Sequence, residues 1–212
     1  KNNLIKMVRV NVYGDVKATC TQRVLILLEE LNLKYEVKSV DLGKGEQRGE
    51  EFMKLQPFGK VPAVEYDERI LFESRSILRY IAKNNNDIED LLGDIDTDIW
   101  LEVESQNYNP HVSKIVNEKL FKKWKGEKPD PEVVQSELKM LEGVLDVYEK
   151  RLSKSTFIGG DQFSIADISH IPYTNYMLRC GYKELYKSRP NVYRWVKQII
   201  RRPSVKSLIG DL

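Results

Sequence analysis

Two short segments in the first third of the chain hold residues that could bind a peptide-like ligand. In the first, Val61-Pro62 follows a turn containing Gly59 and leads into a short apolar strand. A proline at such a position is a candidate for a cis peptide bond, which would offer the backbone N–H and C=O of Val61 to an extended peptide. The alternative is an ordinary turn proline.

The second segment is Glu73-Ser74, which precedes an apolar, helix-forming run. Ser74 stands at the expected start of this helix, where free backbone N–H groups and a partial positive charge suit a carboxylate. The alternative is that Ser74 only caps its own helix.

The elements around these segments are predicted from hydrophobic periodicity and turn residues. The prediction for the first third is a strand over 8–13, a helix over 21–31, a strand over 35–41, a short helix over 50–55, a strand before a turn at 66–69, a strand over 70–72 and a helix over 74–83. A parallel crossover unit followed by a hairpin is typical of a thioredoxin-like domain. We therefore predict an α/β N-terminal domain over 1–83.

The rest of the chain predicts helices alone. A polar linker is expected over 84–95 because the stretch after residue 83 lacks helix formers. An all-α domain over 96–212 follows, with helices at 96–124, 131–153, 164–179, 183–188 and 190–201. Ser164 and Asp167 have the spacing of a capping box at the start of the helix expected over 164–179.

Composition excludes several classes of function. The 34 basic and 32 acidic residues give a net charge of +2, which leaves no electrostatic footprint for nucleic acid. No stretch approaches the roughly 18 apolar residues of a membrane span, and no secretory signal is visible. Two separated cysteines favour a reducing, cytoplasmic location. The two histidines are isolated, so we expect no metal and no permanently bound cofactor.

Longer motifs resemble one family closely. These motifs are Leu55–Val64, Leu71–Ala82, Trp100–Glu104, Phe157–Asp167 and Arg202–Ser204. They are similar to plant-type phi-class glutathione transferases over residues 7–208, with residues 1–6 as an extension. The resemblance implies a glutathione transferase fold, glutathione as co-substrate, a hydrophobic small molecule as second ligand and a homodimer with Phe58 near the interface.

The resemblance also implies roles for individual residues. One pair meets the glycine end of glutathione, a second pair flanks the cis-proline where the cysteinyl backbone binds, and a third pair holds the γ-glutamyl end. In that order, these residues are Gln47 and Arg48, then Lys60 and Val61 beside Pro62, then Glu73 and Ser74. Arg48 and Lys60 supply positive charge for a carboxylate, which agrees with the chemistry of the two segments.

The reaction centre departs from the family pattern. The family's Ser-Thr-Cys-Thr becomes Ala18-Thr19-Cys20-Thr21, and Ala18 cannot donate a hydrogen bond to the glutathione sulfur. Lowering a thiol pKa by about two units needs about 2.7 kcal/mol of preference for the anion. A hydrogen bond to a charged group supplies about 1.5–3 kcal/mol and a helix N-terminus about 0.3–1 kcal/mol. A substitute hydroxyl is needed for strong catalysis.

Thr19 is the first candidate for that hydroxyl, although Thr19 and Gln22 also have the spacing of a capping box. Cys20 is a second candidate, which would act through a mixed disulfide.

Three functions follow: a transferase that conjugates glutathione to hydrophobic electrophiles, a non-catalytic carrier, and a glutathione-dependent peroxidase or thiol transferase. For the hydrophobic co-substrate pocket, the expected lining residues on the first long helix are Tyr108, His111, Val112 and Ile115.

Overall fold

The computed structural model describes residues 8–85 and 90–210, which form two compact units. The chain passes from the N-terminal unit to the C-terminal unit between Glu89 and Asp90. The expected extension at residues 1–6 and residues 86–89 of the expected linker lie outside the described residues. The predicted domain limits stay predictions.

The N-terminal unit is a four-stranded mixed sheet with helices, in the predicted order. Its elements are β1 (Val10–Gly14), α1 (Thr19–Glu30), β2 (Glu36–Ser39), a 3₁₀ turn (Glu46–Arg48), α2 (Glu50–Leu55), β3 (Ala63–Tyr66), β4 (Arg69–Phe72) and α3 (Ser74–Asn84). The strand order is β2-β1-β3-β4, with β1 and β2 parallel and the other neighbours antiparallel. This arrangement is the predicted thioredoxin-like architecture.

The core of this unit forms where α1 and α3 pack together beside the central strands. Helix α1 is apolar on a broad face, and Val24 and Leu28 are fully buried, as are Val12 and Val64 of the sheet. Burial of each such side chain stabilises the fold by about 1.5–3 kcal/mol. Arg23 is buried as well, with 1% of its surface exposed.

The C-terminal unit is entirely helical over its described residues. A long helix over 95–124, named α4 here, contains two π-type turns, Glu104–Tyr108 and Asn117–Phe121. Five further helices follow: α5 (Pro131–Leu152), α6 (Ile165–Arg179), α7 (Lys183–Lys187), α8 (Pro190–Ile200) and α9 (Pro203–Ile209). In the described part of the chain, each helix is too short or too polar to cross a membrane.

The predicted bundle of five helices was one helix short. Helix α9 begins at Pro203, at a first helical position where proline is favoured because its missing N–H is not needed there. The seven residues of α9 were too few to show a clear periodicity in the sequence. The other helical predictions of this unit are confirmed, including Pro131 at the start of α5.

The capping box at the start of α6 is present, and its Asp167 carboxylate also accepts hydrogen bonds from residues outside the box. One carboxylate oxygen of Asp167 accepts hydrogen bonds from the backbone N–H of Ser164 (3.0 Å) and the Ser164 hydroxyl (3.2 Å). The other accepts from the Ile158 N–H (3.0 Å) and from Trp195 Nε1 (2.7 Å). Burial raises the pKa of Asp167 to about 6, against the effect of these hydrogen bonds.

The network at Asp167 predicts a graded loss of stability. Ser164→Ala removes one cap and should lower the free energy of unfolding by about 1 kcal/mol. Asp167→Ala leaves buried donors of Ser164, Ile158 and Trp195 without an acceptor, so it should cost more than about 3 kcal/mol. Urea unfolding followed by tryptophan fluorescence measures both losses.

Asp161→Ala is the matched control, because Asp161 is an exposed carboxylate in the same loop. Its effect should stay within about 0.5 kcal/mol. Equal losses for the Asp161 and Asp167 variants would contradict the structural role of the network.

Candidate functional site

The register of the sheet gathers three chain segments at one edge. Tyr13 of β1 pairs with Ala63 of β3, and Ala63 pairs with Phe72 of β4. The end of β1, the start of β3 and the end of β4 therefore lie side by side. Each strand end continues directly into a predicted site segment: residues 15–19, Val61-Pro62 and Glu73-Ser74.

The first segment turns sharply into α1. A Cβ atom on Gly14 would lie only 2.6 Å from the Thr21 hydroxyl oxygen, so glycine is required for α1 to approach the end of β1 this closely. Ala18 is the N-cap of α1 and provides no side-chain hydrogen bond, and the first turn carries no acidic residue. The N-terminus of α1 thus keeps free N–H groups that can interact with an anion.

The third segment forms a second helix start of the same kind. Glu73 precedes α3 with φ 65° and ψ 106°, makes no side-chain cap, and is followed by a first turn without acidic residues. A non-glycine residue in this region costs about 1–3 kcal/mol, and such strain concentrates at functional sites. Ser74, with 4% of its surface exposed, is the first residue of α3.

The middle segment presents an unused stretch of backbone. The Val61-Pro62 peptide bond is cis, as the sequence suggested. Neither the N–H nor the C=O of Val61 bonds to another backbone group in the described part of the chain, since the β3 ladder begins at Ala63. The Val61 side chain packs with Tyr13 against a small core cluster of Val40, Phe52 and Ala63. Val61 is therefore fixed by its side chain while its backbone stays available.

A buried glutamine that the sequence reading missed holds the loop before this segment. Gln56 Oε1 accepts hydrogen bonds from the N–H groups of Phe58 (2.7 Å) and Lys60 (3.0 Å). Gln56 is 1% exposed, so these two bonds fix the loop from inside. The signal in the sequence was an amide side chain just before the Pro57-Phe58-Gly59 turn, where several backbone N–H groups need acceptors.

The same loop touches the 3₁₀ turn that carries Gln47 and Arg48. Gly59 has φ 61°, and a Cβ atom there would lie 3.0 Å from the Gln47 carbonyl oxygen. The Gln47 side-chain Oε1 is buried without a hydrogen-bond partner in the described residues. Arg48 and Lys60 are exposed, and no described carboxylate forms an ion pair with either of them. The structure thus brings Gln47, Arg48 and Lys60 together.

Thr19 does not form the capping box that was its alternative role. Thr19 is the first helical residue of α1 rather than the cap, and Gln22 Nε2 donates instead to the Val16 carbonyl oxygen at 3.0 Å. The capping interpretation of Thr19 is therefore wrong. Thr19 is 6% exposed, and its hydroxyl makes no hydrogen bond to the described part of the chain.

Cys20 is half-buried and lies next on α1. Its sulfur accepts a hydrogen bond from Arg23 Nη1 at 3.4 Å. The guanidinium of Arg23 is buried, so this contact holds the Cys20 side chain against the body of α1.

The residues predicted to line a co-substrate pocket lie mostly in the core of the C-terminal unit. Tyr108, Val112 and Ile115 are fully buried. The Tyr108 hydroxyl lies 2.8 Å from both Thr174 Oγ1 and the Tyr186 hydroxyl, and burial raises the pKa of Tyr108 above its ordinary value. A pocket wall must expose surface, so the assignment of these three residues as lining is wrong.

His111 differs from these three, because its side chain is 18% exposed. Its Nδ1 lies 2.6 Å from Glu137 Oε2, and Lys114 Nζ lies 2.6 Å from Glu137 Oε1. Burial alone would raise the pKa of Glu137, but these two hydrogen bonds outweigh it and the pKa lies below its ordinary value. His111 therefore links α4 to α5, and a role for it in a pocket stays a prediction.

Comparisons with known proteins agree with this architecture. Residues 8–83 match the family model of the glutathione S-transferase N-terminal domain, and residues 109–203 match that of the glutathione S-transferase C-terminal domain. The chain belongs to the glutathione S-transferase family, as the resemblance implied.

The relatives and solved structures that resemble this chain belong to the plant phi class of the family. The chain is 40% identical over 210 residues to the probable glutathione S-transferase GSTF1 of Oryza sativa subsp. japonica, covering 95% of this chain and 96% of the relative. Glutathione transferase F7 from Populus trichocarpa matches with a TM-score of 0.91 and 36% identity, covering 96% and 100%. Maize glutathione S-transferase I, solved with an atrazine glutathione conjugate, matches with a TM-score of 0.87 and 32% identity, covering 94% and 95%.

The contact at Gly59 gives a prediction for the geometry of the site. Gly59→Ala forces a side chain into a left-handed residue and against the Gln47 carbonyl oxygen, so it should displace the turn that carries Gln47 and Arg48. We expect both a loss of about 1 kcal/mol in the free energy of unfolding and a several-fold weaker retention on immobilised glutathione.

Gly126→Ala is the matched control, because Gly126 also has positive φ (74°) but nothing lies within 4 Å of the added Cβ atom. It should show a similar backbone cost with unchanged retention on glutathione. The role of the contact is refuted if both variants elute from the matrix like the wild type.

Proposed function

We propose that the protein transfers the glutathione thiol to hydrophobic electrophiles, and that glutathione binds along the sheet edge of the N-terminal unit. The observation that carries this proposal is the unused backbone of Val61 between two uncapped helix N-termini. An extended peptide can pair with such a backbone in the manner of an added strand.

The charges around this edge complement those of glutathione. The tripeptide carries one ammonium group and two carboxylates. We assign the γ-glutamyl carboxylate to the N-terminus of α3 at Ser74, and its ammonium group to the exposed carboxylate of Glu73. The glycine carboxylate is assigned to Arg48 and Lys60, which have no competing carboxylate among the described residues.

Gln47 supports the same orientation. Its buried Oε1 lacks a donor, and glutathione supplies peptide N–H groups that can satisfy it. Ala18 and Pro62 contribute shape rather than hydrogen bonds, because Ala18 has no polar side-chain atom and Pro62 has no N–H. In this arrangement the cysteinyl part of glutathione pairs with Val61, and its sulfur lies towards the start of α1.

Thiolate stabilisation is assigned to Thr19 together with the N-terminus of α1. The hydroxyl of Thr19 has no partner in the described chain, so it is available to donate to the sulfur. A hydrogen bond to an anion contributes about 1.5–3 kcal/mol, which is close to the 2.7 kcal/mol that corresponds to two pKa units. The helix N-terminus supplies the smaller part, about 0.3–1 kcal/mol.

The electrophile is proposed to be an apolar compound. The maize relative was solved with a conjugate of glutathione and atrazine, which supports this class of co-substrate. The three buried residues of α4 are excluded as its wall, so the hydrophobic subsite must be built from other residues. His111, which keeps some exposure, stays among its possible members.

One observation favours a second function, a carrier that binds apolar compounds with glutathione but does not turn over. Ala18 replaces the hydroxyl that the family uses, and Thr19 is only slightly exposed. If Thr19 cannot reach the sulfur, binding would remain and catalysis would be weak. A thiol transferase acting through Cys20 is less well supported, because Arg23 already engages the Cys20 sulfur.

The decisive experiment compares Thr19→Val with Thr19→Ser. Thr19→Val keeps the shape but removes the hydroxyl, so kcat for conjugation of 1-chloro-2,4-dinitrobenzene should fall about 10- to 100-fold. The dissociation constant of glutathione should change by less than about threefold, since the peptide contacts remain. The pKa of the bound thiol, read from thiolate absorbance in the ultraviolet, should rise with the loss of kcat.

Thr19→Ser is the control, and it should keep most of the activity because it keeps the hydroxyl. A wild type that binds glutathione without turnover would establish the carrier function instead. Loss of thiol-transfer activity in Cys20→Ser, with conjugation unaffected by Thr19→Val, would support the cysteine route.

A homodimer in the cytoplasm is also proposed. Phe58 is 71% exposed at the tip of the loop that Gln56 fixes, and a large aromatic side chain held rigidly in solvent suits insertion into a partner subunit. The cytoplasmic location is supported by Cys20 and Cys180, which are both free thiols.

The dimer proposal predicts that Phe58→Asp shifts the protein towards a monomer. Burying an unpaired carboxylate in an interface costs several kcal/mol, so the dissociation constant of the dimer should rise at least about 100-fold. Analytical ultracentrifugation at several concentrations measures the shift. Met140→Asp, at an apolar side chain of α5 that is 57% exposed, should leave the mass unchanged. A monomeric wild type would exclude the proposal.

A further inference from the structure

The backbone of Val61 fixes the direction in which a tripeptide lies along the sheet edge. A ligand residue that exchanges both backbone hydrogen bonds with one strand residue must run antiparallel to that strand. The cysteinyl residue assigned to Val61 is therefore followed by a third residue that lies beside Lys60. In the other direction, the ligand leads past Ala63, whose partner Phe72 precedes the Glu73-Ser74 segment assigned to the γ-glutamyl end. One antiparallel arrangement thus satisfies both assignments.

Lys60 and Val61 direct their side chains to opposite sides of this backbone. The Val61 side chain packs against the buried residues Val40, Phe52 and Ala63, whereas Lys60 is exposed. Residues directly opposite each other in an antiparallel pair point to the same face, with Cβ atoms about 4.5–5.5 Å apart. A side chain on the third residue of the ligand would therefore extend along Lys60. Glutathione has glycine at this position and makes no side-chain contact there.

The base of the Lys60 side chain is held rigidly and close to Arg48. The Lys60 N–H donates to Gln56 Oε1 at 3.0 Å, and Gln56 is almost fully buried. At the preceding residue, Gly59, an added Cβ atom would lie 3.5 Å from Arg48 Cγ. The two cationic side chains therefore start from adjacent, fixed points of the N-terminal unit.

Carboxylates near these two cations in the sequence have other partners. Glu46 accepts a hydrogen bond from the Asp41 backbone N–H at 2.7 Å, and Asp41 pairs with Lys44 at 3.4 Å. Glu51 pairs with Lys54 at 2.6 Å. Neither of the two cations forms an ion pair with a described residue. Two cations thus face a part of the ligand in which glutathione supplies a single carboxylate.

We propose that Lys60 makes this site selective for tripeptide thiols whose third residue carries a side-chain carboxylate, such as γ-glutamyl-cysteinyl-glutamate. This selectivity rests on the proposed function, since it requires the tripeptide to bind along the sheet edge. Arg48 binds the terminal carboxylate, because its planar guanidinium matches two carboxylate oxygens. Lys60 binds the side-chain carboxylate as a single charge on a flexible stem. With glutathione, both cations share the one terminal carboxylate.

Isothermal titration calorimetry with three thiol tripeptides tests the selectivity: glutathione, γ-glutamyl-cysteinyl-glutamate and its neutral isostere γ-glutamyl-cysteinyl-glutamine. For the wild type, the dissociation constant of the glutamine peptide should be about three to ten times that of the glutamate peptide. Added salt should reduce this ratio, because the contact is exposed. In Lys60→Gln the ratio should fall to about one, because the side-chain carboxylate loses its partner.

Lys44→Gln is the matched control, because it removes a nearby exposed cation that Asp41 already engages. Its ratio should equal that of the wild type. A wild-type ratio near one, a ratio retained in Lys60→Gln or an equal loss in Lys44→Gln overturns the role of Lys60, and glutathione binding in the same titrations would leave the proposed function standing. Absence of binding for all three peptides would instead refute the proposed function, and the selectivity with it.

Discussion

The pairing of Tyr13, Ala63 and Phe72 across three strands is the constraint on which the proposed glutathione site depends. This row of the sheet fixes where the strands end, and each site segment begins within a few residues of it. A shift of one residue in either pairing would turn the side chains to opposite faces and separate the segments. Core burial of Val12 and Val64 makes such a shift costly, so the packing of the sheet also fixes the site.

A second consequence of this row is electrostatic. Two helices of more than ten residues, α1 and α3, both begin at the same edge, and neither begins with an acidic first turn. Their free N–H groups and partial charges add to those of Arg48 and Lys60. Because the described residues contain no carboxylate paired with these cations, the edge favours a ligand with two carboxylates.

Much of the fold could be predicted from the sequence, because its local signals and its tertiary structure agree. Alternating apolar residues around Val10 and Val37 became paired strands, and Pro131 began a helix at the expected place. The peptide segments at Val61-Pro62 and Glu73-Ser74 were predictable for the same reason. A proline after a glycine-containing turn and a serine before an apolar run are local signals for a strand start and a helix start, and the sheet brings the two segments together when it forms.

The predictions that were wrong concern residues whose burial or hydrogen bonding depends on contacts that the local sequence does not show. Each π-type turn in α4 adds one residue, which rotates the following helix face by about 100° relative to a regular helix. Tyr108 lies at the end of the first such turn, and its hydroxyl finds Thr174 and Tyr186 far along the chain. No local sequence pattern predicts this rotation of the helix face towards the core. The N-cap of α1 was misjudged because Ala18, and not Thr19, is the cap residue, and Gln22 donates to the Val16 carbonyl oxygen instead of forming a capping box.

The left-handed backbone at Glu73 has a consequence for how this protein can change. Glycine would relax that conformation and make the isolated fold more robust, while removing the carboxylate assigned to the ammonium group of glutathione. Stability and ligand binding therefore favour different residues at position 73. Selection for stability alone would therefore favour glycine at this position, and the resulting protein would resist heating better but bind glutathione more weakly at the proposed site.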